Sequence, residues 1–472
     1  MHVDEKKEFV KILLQNNVVV GKDVLSRINQ MDNFGEFYST FTDQYQAGEV
    51  TVNNDTVHSL LGKKEVVGDA PAHVEIISSY DGEPKKRTVQ DFVGLFNARY
   101  QSLKEMLIKR KDLDNPSSIG RLGGSGDREQ VAIIGMVTDK HKTKNGNLMF
   151  TLEDPTGQIR CLVNKNKPEL MELANDIVYD EVIGITGNAN GNFIFINSIT
   201  QPDIPLTKEL KKCPDEVYAI FLCCIHIGSK VFLHEPWQKF LQWIRGESGS
   251  EEQRRVASKV RYMVITGDLV DGVGIYPGQE EDLEIDDIYA QYKKFAEYLE
   301  QIPKHVQIIV CPGNHDAMRI AEPQPPLYKD FAAPVYALSN VTLVSNPSMV
   351  RLHKTDNFPG FDLLVYHGFS FVYYTNNVER IRAAGGQKRI DLVQKFVLQR
   401  RHLAPSHTST LYLPDADKDN LLIEHVPDIF ATGHIHTVGM ANYRNVQCVE
   451  GGCWLQTTDF QEKMGLLPQP GR

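Results

Sequence analysis

Five short apolar runs between residues 215 and 472 each end in a polar loop that carries Asp, Asn or His. The runs with their loops are VYAIFLCCIH (217–226), YMVITGD (262–268), VQIIVCPGNHD (306–316), FDLLVYHG (361–368) and DIFATGHIH (428–436). Aliphatic and β-branched runs of this length, closed by turn residues, read as buried strands. Taken singly, each loop has a plain explanation. Gly-Asp commonly follows a strand, Asn-His-Asp caps a helix, and Gly-His-x-His closes a turn with solvated imidazoles. Five at once do not reduce to packing, because ionisable side chains at the rims of buried strands carry a desolvation cost unless a cation satisfies them. The pattern therefore predicts a mixed α/β fold of two β-sheet layers with helices outside, in which the rims of several strands converge. The stretch IDDIYAQYKKFAEYLEQI supplies one such helix, with Ile285, Ile288, Tyr292, Phe295 and Leu299 aligned.

Upstream the period changes to two. VAIIGMVTD, NLMFTLED, GQIRCLV, EVIGITG and NFIFINS are five strand candidates, and Asn145-Gly146, the Asp154 to Gly157 segment and Asn190-Gly191 supply turns between them. The helical segment NKPELMELAND falls between the third and fourth strands, which is the order of an OB-type barrel, placed at residues 127–205. Such barrels bind single strands by stacking bases on exposed aromatics. Phe150, Phe193 and Phe195 alternate here as core residues would, which leaves open whether the barrel takes nucleic acid or serves as a protein-docking platform.

Residues 1–45 read as a small helical module on the spacing of Phe9, Ile12, Leu13, Leu25 and Ile28, with Gly21 as a break. Residues 46–85 read as a linker, and residues 86–126 as a helical lead-in with Phe92, Phe96, Tyr100, Leu103 and Leu107 on one face. The basic end of that helix (Lys104, Lys109, Arg110, Lys111) is either a solvated terminus or a contact surface. The rest, residues 215–472, is the two-layer domain.

Composition narrows the function classes. A formal charge of −10 argues against gripping nucleic acid by the overall field of the chain. Seven cysteines without a C-x-x-C pair fit neither a disulfide framework nor a structural zinc finger. No apolar run approaches the ~20 residues that span a bilayer, and the N-terminus makes a poor signal peptide. The expectation is a cytoplasmic protein with no membrane partner.

The loops CIH (224–226), GDLVDG (267–272), GNHD (313–316), YHG (366–368) and GHIH (433–436) resemble those of the calcineurin-like metallophosphoesterases. The order of barrel then phosphoesterase, with RRHLAP (400–405) and VPDIFATGHIH (426–436), resembles the small subunits of archaeal D-family DNA polymerases over roughly residues 75–472. Relatives of that group usually run on a little past the final PQPGR. The resemblance implies two divalent cations bridged by Asp268. Cys224, His226 and His436 would complete the first site, and Asn314, His367 and His434 the second. It implies His315 as proton or hydrogen-bond donor to the leaving oxygen, with Asp316 fixing its tautomer. Mixed N/O ligands suit manganese, with zinc or iron as alternatives. The implied activity is a 3′–5′ exonuclease acting on single-stranded DNA 3′ ends and proofreading for a large catalytic polymerase subunit; residues 1–45 would recruit another replication protein. The alternative is a non-catalytic assembly subunit. A free-standing phosphodiesterase or protein phosphatase is a third class, against which the barrel and the helical leader argue.

Position 224 departs from the family, which has aspartate there. Either a thiolate replaces the carboxylate and shifts the first site towards softer ions, or the thiol stays protonated and the site loses a ligand. Cys223 beside it reads as core.

Overall fold

The structure is a computed structural model that describes residues 2–16, 28, 34–46, 72–82, 85–124, 129–191, 193–457 and 468–471. It forms two compact units, residues 1–71 and 72–472.

In the first unit, helices α1 (His2–Gln15) and α2 (Phe34–Gln46) bury Phe9, Leu13, Ile28, Phe34 and Phe41. The Phe9 ring meets Phe34 and Phe41 edge-on at 5.8 and 4.8 Å, the arrangement that ring quadrupoles favour. Leu25 and the expected break at Gly21 lie outside the described residues. The sequence pattern of residues 1–45 rests on Phe9, Ile12, Leu13, Leu25 and Ile28, whereas α2 carries a further stripe in which Phe34, Phe37, Phe41 and Tyr45 recur at helical spacing.

The second unit opens with a strand where a linker was expected. β1 (Val74–Ser79) pairs antiparallel with β11 (Ser348–Leu352), from Val74 opposite Leu352 to Ser79 opposite Ser348. It hides from a pattern search because it is an edge strand. Ile76 and Ile77 are both exposed, so backbone bonds rather than an alternating apolar face hold it. Helix α3 (Val89–Ile108) follows, burying Leu95, Arg99, Tyr100, Leu103 and Leu107.

Strands β2 (Gln130–Lys142), β3 (Leu148–Asp154), β4 (Gly157–Val163), β5 (Val182–Asn190) and β6 (Phe193–Thr200) close a barrel in the order β2-β3-β4-β6-β5. Helix α4 (Pro168–Asn175) sits between the third and fourth strands, as the spacing predicts. Two of the aromatics taken as core are not. Ile194 and Ile196 fill the barrel, so the period of two turns Phe193 and Phe195 outward, and Phe195 is 45% exposed.

Two sheets make up the remainder. One is six-stranded, in the order β1-β11-β12-β13-β15-β14, with β12 (Phe361–Val365), β13 (Ile429–Thr432), β14 (Gly439–Tyr443) and β15 (Val446–Glu450). The other runs β10-β9-β8-β7, all parallel, with β7 (Tyr218–Leu222), β8 (Val260–Thr266), β9 (Gln307–Cys311) and β10 (Val341–Leu343). Alternation sorts their side chains. Tyr262, Val264, Ile309 and Cys311 meet Val350, Leu352, Leu363, Val365 and Ala431 between the sheets. Met263, Ile265, Ile308 and Val310 point the other way, onto helices α5 (His234–Ile244) and α6 (Ile288–Glu300). Leu364, Phe430 and Cys448 pack on α7 (Ile390–Arg400). Each such side chain, fully buried, contributes roughly 1.5–3 kcal/mol.

Buried ion pairs bolt the barrel and α3 to the sheets. Arg400 at the end of α7 pairs with Glu181 and donates to the Asp176 carbonyl at 2.8 Å. Arg99 of α3 meets Asp419 at 2.7 Å, and His402 Nε2 lies 2.8 Å from the same carboxylate. The basic pair in RRHLAP thus faces inward: Arg401 donates to the carbonyls of Ile423 and Glu424.

Candidate metal centre

All five loops leave the C-terminal ends of β7, β8, β9, β12 and β13. The first two zip together through their backbones. Cys224 N–H donates to Gly267 O at 3.0 Å, His226 N–H to Asp268 O at 3.0 Å, and Asp271 N–H to Ile227 O at 3.0 Å. Holding the side chains inward requires unusual backbone. Cys224, His226, Asp268, His434 and His436 all have positive φ, between 49° and 76°. A left-handed non-glycine residue costs roughly 1–2 kcal/mol, and such strain persists at functional sites where the surroundings over-determine it. Close approach is also built in, since a Cβ on Gly313 would sit 2.3 Å from Asp268 Oδ1.

Donor atoms of Cys224, His226, Asp268 and His436 lie within 4.8 Å of one another, and those of Asp268, His367 and His434 form a second such group. Asp268 belongs to both. Its Oδ2 is 3.7 Å from His226 Nε2 and 3.3 Å from His367 Nε2, while Oδ1 accepts the His315 N–H at 2.9 Å. Asn314 Oδ1 is 3.0 Å from His367 Nε2. Every residue expected to ligate is therefore in one place.

The tautomers say what this place suits. His367 Nδ1 is 2.7 Å from the Thr266 carbonyl, which can only accept, so Nδ1 carries a proton. Nε2 then turns its lone pair to the Asp268 carboxylate and the Asn314 amide oxygen, an arrangement that a proton or a cation must relieve. His226 repeats the pattern. Its Nδ1 is 3.0 Å from Asp271 Oδ1, and its Nε2 is buried with no hydrogen-bond partner. The donor set, two imidazoles and a shared carboxylate for each half with sulfur on one side and amide oxygen on the other, fits two divalent ions of intermediate hardness.

Electrostatics agree. Burial pushes the Asp268 carboxyl up, but the charges of His367, His315 and His226 outweigh it and hold the group well below its ordinary range. Burial and neighbouring imidazolium charge push His434 down to about 3 and His436 well below its ordinary value, which keeps both rings neutral.

Cys224 is fully buried, its Sγ 4.0 Å from Asp268 Oδ2 and accepting the His434 N–H at 3.3 Å. Burial drives its thiol well above the ordinary value. Cys223 packs in the core as expected and donates to the Gly452 carbonyl at 2.6 Å.

One expected role is overturned. Asp316 does not touch His315; its carboxylate accepts the Gly313 N–H at 2.8 Å and the Tyr292 hydroxyl at 3.2 Å, clamping the GNHD loop onto α6. Burial and the Asp268 charge raise it to about 7. His315 Nδ1 instead lies 2.8 Å from the Asp271 carbonyl. Asp271, which is not among the residues expected from the sequence, thereby orients two rings, one through its carboxylate and one through its backbone. Its only signal there is the second Asp of GDLVDG.

A family model for the B subunits of DNA polymerases alpha and epsilon matches residues 219–438, and one described as an OB-fold nucleic acid binding domain matches residues 131–192. The chain is 38% identical over 384 residues to the DNA polymerase II small subunit of Methanothermobacter thermautotrophicus, covering 81% of this chain and 77% of that one. The small subunit of Archaeoglobus fulgidus is 38% identical over 412 residues (87% and 80%), and that of Methanocaldococcus jannaschii 38% over 426 residues (89% and 69%).

Proposed function

The chain belongs to the family of DNA polymerase II small subunits, and from that premise we propose that it is the proofreading 3′–5′ exonuclease partner of a larger polymerising subunit. The two-sheet body would then be a calcineurin-like phosphoesterase. The observation that carries this reading is the Asp268 carboxylate set between two imidazoles whose outer nitrogens are already pinned.

Cys224, His226, Asp268 and His436 would hold one cation, and Asp268, Asn314, His367 and His434 the other. Manganese suits these donors, with zinc or iron favoured more if the sulfur ligates. Bound there, the pair supplies Lewis acidity to the phosphodiester and a nucleophile at neutral pH. The protein's part is to keep the ligands in place. Asp271 and the Thr266 carbonyl fix the tautomers of His226 and His367, and Asp316 keeps the GNHD loop on α6. His315 donates Nδ1–H to the Asp271 carbonyl, which leaves Nε2 for the leaving oxygen. Burial lowers the pKa of this ring, and a neutral ring with Nδ1–H would accept there rather than donate. The proton it gives up is thus acquired with the negatively charged substrate.

The barrel adds a small surface for a partner. Arg160 lies over Phe193 at 5.0 Å beside the exposed Phe195, a patch that suits one stacked base or an aromatic side chain of another protein. Residues 1–45 would serve as a module for recruiting another replication protein, and a chain lacking 1–70 that kept all its partners would remove that assignment.

A second reading, a non-catalytic assembly subunit, is favoured by Cys224 alone, because a buried protonated thiol leaves one half of the site a ligand short. Two tests separate the readings. Purified protein carrying two equivalents of metal supports the enzyme; none or one supports the scaffold. Replacing Cys224→Asp raises manganese-dependent degradation of 3′-ended single-stranded DNA by about tenfold or more. No gain from the carboxylate, with full activity in the unaltered chain, would sink the altered-ligand account.

A further inference from the structure

Away from the five loops, another group of ligand-type side chains gathers among the described residues. Cys213, Asp215 and His353 place their donor atoms within 4.8 Å of one another. We propose that these three hold a further divalent cation, zinc, which pins the chain entering the four-stranded sheet to the β1–β11 edge of the six-stranded one.

The site sits at the opposite end of the strands from the first centre. β7 and β8 are parallel; Asp215 and Tyr262 lie at their beginnings, Cys224 and Asp268 beyond their ends. Six residues of extended chain between Tyr262 and Asp268 span about 20 Å. The two groups of ligands therefore cannot share an ion.

His353 is the central donor of the three. It is buried, 1% exposed, and its φ is +58°. Among the described residues the other histidines with positive φ are His226, His434 and His436, all in the first centre. The strain at His353 has no turn glycine or helix cap to explain it; it swings the ring inward just after β11, while its N–H stays on the His73 carbonyl at 2.9 Å. Nδ1 is 3.0 Å from the Tyr262 hydroxyl, which also accepts the His73 N–H at 2.9 Å, and Nε2 is 3.0 Å from Asp215 Oδ2. A cation at Nε2 selects the tautomer with Nδ1–H on the tyrosine oxygen, in which the Nε2 lone pair faces a carboxylate and a sulfur, over the one in which the tyrosine donates to Nδ1 and Nε2–H donates to Asp215. The former is the outer-partner arrangement of a ligating histidine. A ring that merely bridged Tyr262 and Asp215 would have no use for the third donor. Yet Cys213 Sγ stands within the same cluster, accepting the Asp215 N–H at 3.4 Å.

Sulfur, imidazole nitrogen and carboxylate oxygen are the ligand types of zinc, and three of them leave its fourth position open. A recess of about 420 Å³ lined by His73, Val74, Glu75, Lys354, Thr355 and Asp356 lies beside the His353 turn. The ion would join three segments that are distant in sequence: the stretch before β7, the turn after β11 and, through Tyr262, the start of β8.

Cobalt(II) titration of the metal-free full chain in a Cys224→Asp background tests this, since Cys213 is then the thiol left in either candidate centre. A thiolate-to-cobalt charge-transfer band saturating at one equivalent is expected, and Cys213→Ser in the same background abolishes it. Asp215→Asn, which keeps a hydrogen bond to His353, weakens zinc binding about tenfold or more. Asp268→Asn leaves the band in place, so failure of the nuclease centre and failure of this one are read separately. Absence of the band in the Cys224→Asp chain, or its survival after Cys213→Ser, overturns the proposal.

Discussion

Asp271 is the residue whose importance is hardest to see in the chain and plainest in space. Its carboxylate Oδ1 holds His226 Nδ1 at 3.0 Å, its carbonyl holds His315 Nδ1 at 2.8 Å, and Gln279 Nε2 donates to that carbonyl at 3.0 Å and to Oδ2 at 3.1 Å. Asp271→Asn keeps the shape but removes the charge that steadies the His226 tautomer. Metal affinity at the first half-site falls about 10- to 100-fold, with little change in the second, measured by competition with a chelating dye. Equal loss at both halves would show that Asp271 supports the loop and not the ligand. Adjacency misleads here. His315-Asp316 invites a paired assignment, but the Asp271 carbonyl rather than the Asp316 carboxylate meets the His315 ring, because backbone direction, not sequence distance, decides what a side chain meets. The candidate ligands themselves are legible, since each stands at the end of an apolar run and its burial would be offset by an ion.

At the scale of elements, the strand ends are kept in register by a buried polar web that no periodicity reveals. Glu322, 1% exposed, accepts from Thr410 at 2.8 Å, Tyr366 at 3.1 Å and Asn346 at 3.3 Å, and Asn346 Oδ1 receives the His367 N–H at 2.8 Å. Burial raises the Glu322 carboxyl to about 7, against an ordinary 4.5. The folded state therefore holds a proton that the unfolded chain releases. The resulting stabilisation is complete below pH 4.5 and is lost as pH rises to 7, a change of up to about 3 kcal/mol. Glu322→Gln mimics the protonated group, so its stability advantage over the unaltered chain grows between about pH 5 and pH 8 in denaturant titrations. A constant difference across that range would mean that Glu322 is ionised in the fold. The same scale shows where pattern reading stops. Strands buried on both faces announce themselves as apolar runs, whereas β1, held at an edge by backbone bonds with Ile76 and Ile77 exposed, does not.

For the whole molecule, the division at residue 71 has a direct consequence. A chain starting at residue 72 keeps β1 on β11 and melts with the body of the full protein. A chain starting at residue 86, the boundary that a linker over 46–85 would suggest, bares the β11 edge and loses several degrees of melting temperature. Equal melting of the two would deny β1 a structural part. A single calorimetric transition is expected for the barrel, α3 and the sheets, because Arg99–Asp419 and Arg400–Glu181 are buried between them and breaking either leaves an uncompensated charge costing about 3–5 kcal/mol. Their arrangement is readable in outline from periodicity and turn residues, but these bolts are not, since a buried arginine and a solvated one look alike in sequence. The candidate centre these parts converge on shares one carboxylate, Asp268, between its two groups of donors. The most direct trial is therefore Asp268→Asn, with bound metal counted and single-stranded DNA cleavage followed on the same preparation. Both cations and phosphodiester hydrolysis are expected to be lost together while the melting profile persists; two bound ions with undiminished cleavage would rule out Asp268 as the shared ligand.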